Sequence, residues 1–158
     1  MAELGDAMPN ADFCLVCRVM TRLCALPLQH VSETMRPLPV DPVAGVPLPV
    51  RGVAIIRGAP VPVVDLACVL AGTESHPTRF VTINVGARRV ALAVDAVIGV
   101  RTIPIEALSE LPPLLGDADT DVIAAMGTLD AQLLVVLRSA RLIPEAVWSA
   151  LAAGGASS

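Results

Sequence analysis

The chain has 158 residues and a mass of 16.3 kDa, one domain's worth and long enough to bury a core of its own. Eleven cations, every one an arginine, stand against fifteen acids, and the net charge of −4 excludes the positive field that nucleic acid or an anionic lipid surface requires. Apolar residues make up 54% of the chain, yet Phe13, Phe80 and Trp148 are its three aromatic residues, so the core is expected to be aliphatic.

The opening MAELGDAMPN carries Glu3 and Asp6 and has neither a basic nor an apolar region of the kind that makes a secretory signal. A cytoplasmic, reducing compartment is therefore expected, without disulfides. From Asp12, DFCLVCRV alternates as a strand, MTR turns, and LCALPL resumes, the pattern of a hairpin. PLPVDPVAGVPLPV follows, where the density of proline favours an extended surface loop. VAIIRGAPVPVVDLACVL then reads strand, tight turn, strand and short apolar helix. A second hairpin runs RFVTINV, GAR, RVALAV, with Gly86 in its turn. IPIEALSELPPLLGDADTD is expected to form a short helix stopped by Pro112 and Pro113, then an acidic loop. MGTLDAQLLVVLRSARLI repeats the strand, turn, strand plan, and PEAVWSALAA makes a C-terminal helix that begins at Pro144 and ends at Gly154. The longest stretch without a charge, Ala146 to Ser158, is shorter than the roughly 20 residues of a membrane span, so no membrane insertion is expected.

The two hairpins superimpose at an offset of 66, which lays Leu15, Cys17 and Val19 on Val81, Ile83 and Val85, and Ala25, Leu26 and Val31 on Ala91, Leu92 and Val97. The segments after them superimpose at an offset of 73. This looks like an internal duplication, giving two β lobes of similar plan that cover one another. Only 16% of the residues are charged, too few to coat the surface, and exposed apolar patches usually mark partners.

Catalytic and metal chemistry find little support. Cys14 and Cys17 form a C-x-x-C, but residues three apart on a strand point to opposite faces and cannot share a metal. With Cys24 and Cys68 they read as small buried hydrophobes, and no metal or other cofactor is expected. His76 sits in a turn-like ESHPT and is expected to be exposed. Asp65 and Asp95, each after an apolar strand, make the one pair that could serve a small hydrolase, a remote alternative. Capping of the Leu66–Leu70 helix by Asp65, and local backbone bonding by Asp95, explain them better.

The segment VRGVAIIRGAPVPVVDLACVL closely resembles the G-x-x-x-x-R-G-x-x-x-P-V-x-D-L signature of the CheW family of chemotaxis coupling proteins, with Gly52, Arg57, Gly58, Pro62, Val63, Asp65 and Leu66 in register. ALPLQHVSE and GARRVALAVDAVIGV resemble the family on either side, so the likeness runs from about Asp12 to Ile143. It implies a mainly all-β fold of two SH3-like five-stranded β-barrel subdomains packed together, with short helices and a C-terminal helix. Residues 12–153 would form this domain, flanked by a flexible N-terminus at 1–11 and a flexible tail at 154–158.

The resemblance further implies a non-catalytic cytoplasmic adaptor at receptor arrays on the inner face of the membrane. Its partners would be the cytoplasmic tips of methyl-accepting chemoreceptors and the regulatory domain of a CheA-type histidine kinase. Arg57 and Glu33 match partner-contact positions, with a salt bridge between them inside the fold as the competing explanation, and Gly58 supplies the turn. Val94, Val97, Ile98 and Val100 resemble positions lining the receptor groove; since strand alternation buries half of them, Val97 and Val100 are the candidates. Ile55 stands where the family commonly has Asn, and Arg138 where it has Asp or Asn. Such departures leave open a divergent member serving pili or another output, or an accessory protein binding one partner.

Overall fold

The computed structural model describes residues 11–73, 76–104, 108–109 and 122–156. Strands β1 (Ala11–Val19) and β2 (Arg22–Pro27) form the first hairpin, followed by a 3-10 turn and β3 (Val31–Met35). After the proline loop come β4 (Val50–Ile56), β5 (Ala59–Asp65) and the short helix α1 (Leu66–Ala71). The second hairpin is β6 (Arg79–Val85) and β7 (Arg88–Val94), followed by β8 (Ala96–Pro104) and the two-residue β9 (Leu108–Ser109). β10 (Ile123–Leu129), β11 (Gln132–Leu137) and the C-terminal helix α2 (Glu145–Ala156) complete the chain.

The strands make two sheets, a first in the order β8-β1-β2-β11-β10-β9 and a second in the order β3-β6-β7-β5-β4. Each sheet draws on both copies of the repeat: β6 and β7 lie between β3 and β5, while β1 and β2 lie between β8 and β11. The copies are thus interlaced, joined by parallel pairings of β5 with β7 and of β11 with β2.

The duplication holds to single residues. Val63 pairs with Ala91 in the second sheet, and Val136, 73 positions after Val63, pairs with Ala25, 66 before Ala91. The bulge that skips Ser32 in β3 reappears at Ile98 in β8, and the one between Val50 and Gly52 reappears between Ile123 and Ala125. Arg57 and Gly58 turn with φ of 53° and 79°; their equivalents Asp130 and Ala131 turn with 52° and 62°.

Side-chain alternation then builds three apolar clusters. One face of each sheet meets the other around Leu15, Leu26, Val64, Leu66, Ile83, Leu92 and Leu137. The outer faces are buried too, around Val16, Ala25, Ile103 and Val136 in the first sheet and around Ile56, Val61, Val63 and Phe80 in the second. Strands buried on both faces read as nearly continuous apolar runs. Here lies much of the chain's high apolar content.

Two expectations need correction. The helix expected from Ile103 is replaced at its start by β8, which reaches Pro104, and Leu108–Ser109 pairs as strand with Met126 and Gly127; residues 105–107 and 110–121 lie outside the described residues. The C-terminal helix continues past Gly154 to Ala156. It is held by Arg88, which bonds both oxygens of Glu145 at 3.0 and 2.9 Å and lies 4.5 Å over the Trp148 ring. Residues 1–10 and 157–158, in the segments expected to be flexible, lie outside the described residues.

Candidate interaction surfaces

The first surface grows from the β4–β5 hairpin. Its two-residue turn needs positive φ at both central positions, which Gly58 adopts freely and Arg57 adopts at a cost. From there the Arg57 guanidinium reaches Glu33 on β3, at the opposite edge of the sheet, with Nη2 donating to Oε1 at 2.7 Å and Nε to Oε2 at 3.0 Å. The salt bridge within the fold is therefore formed, while Arg57 stays 72% exposed and Glu33 24%. These bonds lower the pKa of the Glu33 carboxyl and raise that of Arg57, and the charge of Arg89 lowers Glu33 a little further.

A residue missed by the sequence reading positions Glu33. Thr82 is fully buried, and its hydroxyl accepts from the Glu33 amide at 3.1 Å and donates to the Glu33 carbonyl at 3.3 Å, satisfying backbone groups that the β3 bulge withdraws from the ladder. Ile55, on the strand leading into the turn, is 59% exposed, so an apolar side chain accompanies the Arg57 charge.

The second surface is the β1–β8 edge of the first sheet. Val94 is fully buried and Val97 is half-buried against the shared core, whereas Val100 is 51% exposed and Ile98, extruded by the bulge, is exposed as well. Val100 pairs with Leu15, and Thr102 with Phe13, which places Phe13 and Val100 diagonally on one face; Phe13 is 60% exposed. Phe13 escaped the sequence reading because alternation assigns it the face of buried Leu15. Its signal lay in the duplication: the equivalents of Phe13, Ile98 and Val100 are Arg79, Ser32 and Thr34, exposed and polar. The fold does not require apolar residues at these positions. Val97, by contrast, has half-buried Val31 as its equivalent, and both pack on the same core.

Glu33, Arg57 and Gly58 thus lie together on the second sheet, and Val97 and Val100 on the first. The equivalent of the Arg57 turn carries inverted charge: Asp130 bonds Arg101 of β8, Nη1 to Oδ2, at 3.2 Å.

The remaining candidates have structural partners. Asp65 is fully buried, caps α1 by accepting from the Ala67 amide at 2.9 Å, and takes Arg51 Nε at 2.8 Å and Nη2 at 2.5 Å on its other oxygen. The cap was expected; the Arg51 pair was not. Asp95 accepts from the amide of Met20 at 2.6 Å, a bond across the fold instead of the local one expected. Cys14 and Cys17 enter different clusters, as opposite faces dictate, and burial pushes the Cys17 thiol up to about 12. Exposed His76 borders a groove of about 470 Å³ lined chiefly by Leu38, Leu48, Pro77 and Phe80 with Arg51. Among the described residues no cluster of His, Cys, Asp and Glu could hold a metal, and no helix is long and apolar enough to cross a membrane.

Comparison with known proteins agrees with this architecture. A family model described as the CheW-like domain matches residues 14–147. The crystal structure of the scaffolding protein TtCheW from Thermoanaerobacter tengcongensis is similar with a TM-score of 0.73 at 20% identity, over 86% of this chain and 94% of that one.

Proposed function

The chain belongs to the family of CheW-like domains, and on that premise we propose that it is a non-catalytic adaptor coupling chemoreceptors to a CheA-type histidine kinase. The proposal places it in the cytoplasm, at receptor arrays on the inner face of the membrane. The observation that carries it is the apolar strip of Phe13, Ile98 and Val100, exposed where the duplicated sheet keeps Arg79, Ser32 and Thr34. An exposed strip of this kind suits the apolar face of a helical receptor tip, laid along the β1–β8 edge. The Arg57–Glu33 turn, with Gly58 setting its shape, takes the kinase regulatory domain. A planar guanidinium already aligned by Glu33 presents its remaining donors to a carboxylate or carbonyl across the interface. Asp65 and Asp95, the pair that would serve a hydrolase, hold a helix cap and a distant backbone amide instead.

Purified protein, receptor tails and kinase regulatory domain provide the test. Val100→Asp is expected to weaken receptor binding at least about tenfold and to leave kinase binding and the melting temperature unchanged, whereas Thr34→Asp, its counterpart, leaves receptor binding as it is. Wild-type receptor affinity in a folded Val100→Asp variant removes the strip from the receptor site.

A further inference from the structure

We propose that the groove between the proline loop and the second sheet binds a small amphiphilic carboxylate, a medium-chain fatty acid, with its headgroup at Arg51 and its chain along the apolar wall. The groove holds about 470 Å³, within the range of roughly 300–1,000 Å³ that small-molecule sites occupy. Its wall is built by Leu38 and Leu48 of the loop and by Val63, Phe80 and Ala93 of the sheet. Arg51 and His76 are its ionisable lining residues, and among the described residues no carboxylate lines it. An apolar body with an anionic head is the ligand that such a lining complements.

The β4 bulge aims Arg51. Val50 pairs with Val64 and Gly52 with Val63, so Arg51 is the residue that the ladder skips. Asp65 then fixes the guanidinium, taking Nε and Nη2 on one oxygen while its other oxygen caps α1. Asp65 is fully buried, whereas the Arg51 side chain stays 28% exposed and lines the groove, so the acid stands behind the base. A guanidinium held in this way has lost its rotamer freedom before a ligand arrives, which favours planar recognition of a carboxylate. His76 adds a second donor to the lining.

The duplicated plan does not require this ion pair. In the first sheet the same bulge carries Ala124 in place of Arg51, and Arg138 stands in place of Asp65, before a 3-10 turn that forms without a side-chain cap. The second sheet thus carries a buried acid and a positioned base that the fold can do without. The rim of the groove is also more apolar than solvent favours, with Leu48 54% and Leu38 36% exposed. An alkyl chain laid in the groove would take both away from water, and that burial supplies the affinity that the headgroup orients.

Calorimetric titration of the full chain with octanoate, below its micelle concentration, tests the assignment. The expected result is saturable binding to a single site. Octanol, which keeps the chain and lacks the charge, should bind at least about tenfold more weakly, and acetate, which keeps the charge and lacks the chain, should give no measurable heat. Methyl resonances of Val63 and Leu48 should shift with octanoate, while those of Val136, the equivalent of Val63 in the first sheet, should not. Leu48→Asp, at an exposed position, should weaken octanoate about tenfold or more and leave the melting temperature unchanged. Arg51→Met combined with Asp65→Asn removes both charges, keeps a capping side chain, and should lower octanoate to the affinity of octanol. Where that double variant fails to fold, Leu48→Asp decides. A wild-type chain without saturable octanoate binding overturns the proposal. So do octanol binding as tightly as octanoate, unaltered affinity in folded Leu48→Asp, and shifts at Val136 in place of Val63.

Discussion

The two sheets share a plan down to the positions of their bulges and the φ angles of their turns, yet they present different chemistry to solvent. Inside, equivalents stay alike: Ala25 and Ala91, Leu26 and Leu92, and Val63 and Val136 are buried pairs. Outside, Phe13 stands for Arg79, Val100 for Thr34, and Asp130 for Arg57. Burial constrains the first group because a closely packed interior tolerates little change of volume. Where both copies are exposed, folding is indifferent, and the divergence there marks the residues most free to take on partners. By this criterion Val100 belongs to a surface and Val97 to the core, a division that a motif alone does not make.

The largest break in the comparison is at Gly52. Its equivalent is Ala125, which carries a Cβ without difficulty, but a Cβ at Gly52 would lie 2.1 Å from the carbonyl oxygen of Asp41, and φ there is 149°. The cause is the proline loop: Asp41 and Val53 exchange backbone hydrogen bonds at 2.8 and 2.9 Å, pinning the loop over β4. Gly52→Ala is expected to cost about 3 kcal/mol, read as a drop in the urea midpoint at unchanged slope. The motif's first glycine is thus a matter of close approach between two backbone segments.

The turns sharpen the comparison at smaller cost. Ala131 holds φ of 62°, where its equivalent Gly58 holds 79°. Left-handed backbone disfavours a Cβ by roughly 1–2 kcal/mol, offset in part by glycine's greater freedom when unfolded. Gly58→Ala should destabilise by about 1 kcal/mol, and Ala131→Gly should stabilise by about 0.5 kcal/mol in the same denaturation assay. If Gly58→Ala also loses kinase binding out of proportion to its stability, the shape of the turn itself is being recognised.

The hairpins, the α1 cap at Asp65 and the R-G turn were legible in the sequence because their signals are local: alternation, a glycine at a forced φ, an aspartate before an apolar helix. The duplication was legible as well, but the interlacing of its copies was not. It depends on the parallel pairings β2–β11 and β5–β7, between residues far apart in the chain. β8 was read in part as helix because a short apolar run such as TIPI carries no decisive period. At the candidate surfaces, Arg57 and Glu33 came from a motif, whereas Phe13 needed the structure to show that the edge leaves it uncovered. Thr82 could not have been found from spacing, since its role rests on a bulge in another strand.

The smallest effect concerns the Arg57–Glu33 pair. Because the guanidinium bonds the ionised form, the folded-state pKa of Glu33 lies below its unfolded value. Whatever stability the pair adds is present above the unfolded value and lost as pH falls through the folded one, a window below the ordinary 4.5. Arg57 is exposed and Glu33 only half-buried, so solvent screening keeps the amount small. Glu33→Gln should melt no more than about 1 °C below wild type near neutral pH, with the gap closing under acid conditions and in high salt. A large, salt-independent gap at neutral pH would mean that the pair chiefly holds the edges of the second sheet together. A small one leaves Arg57 cheap to redirect, which is what a residue shared between a fold and its partners requires.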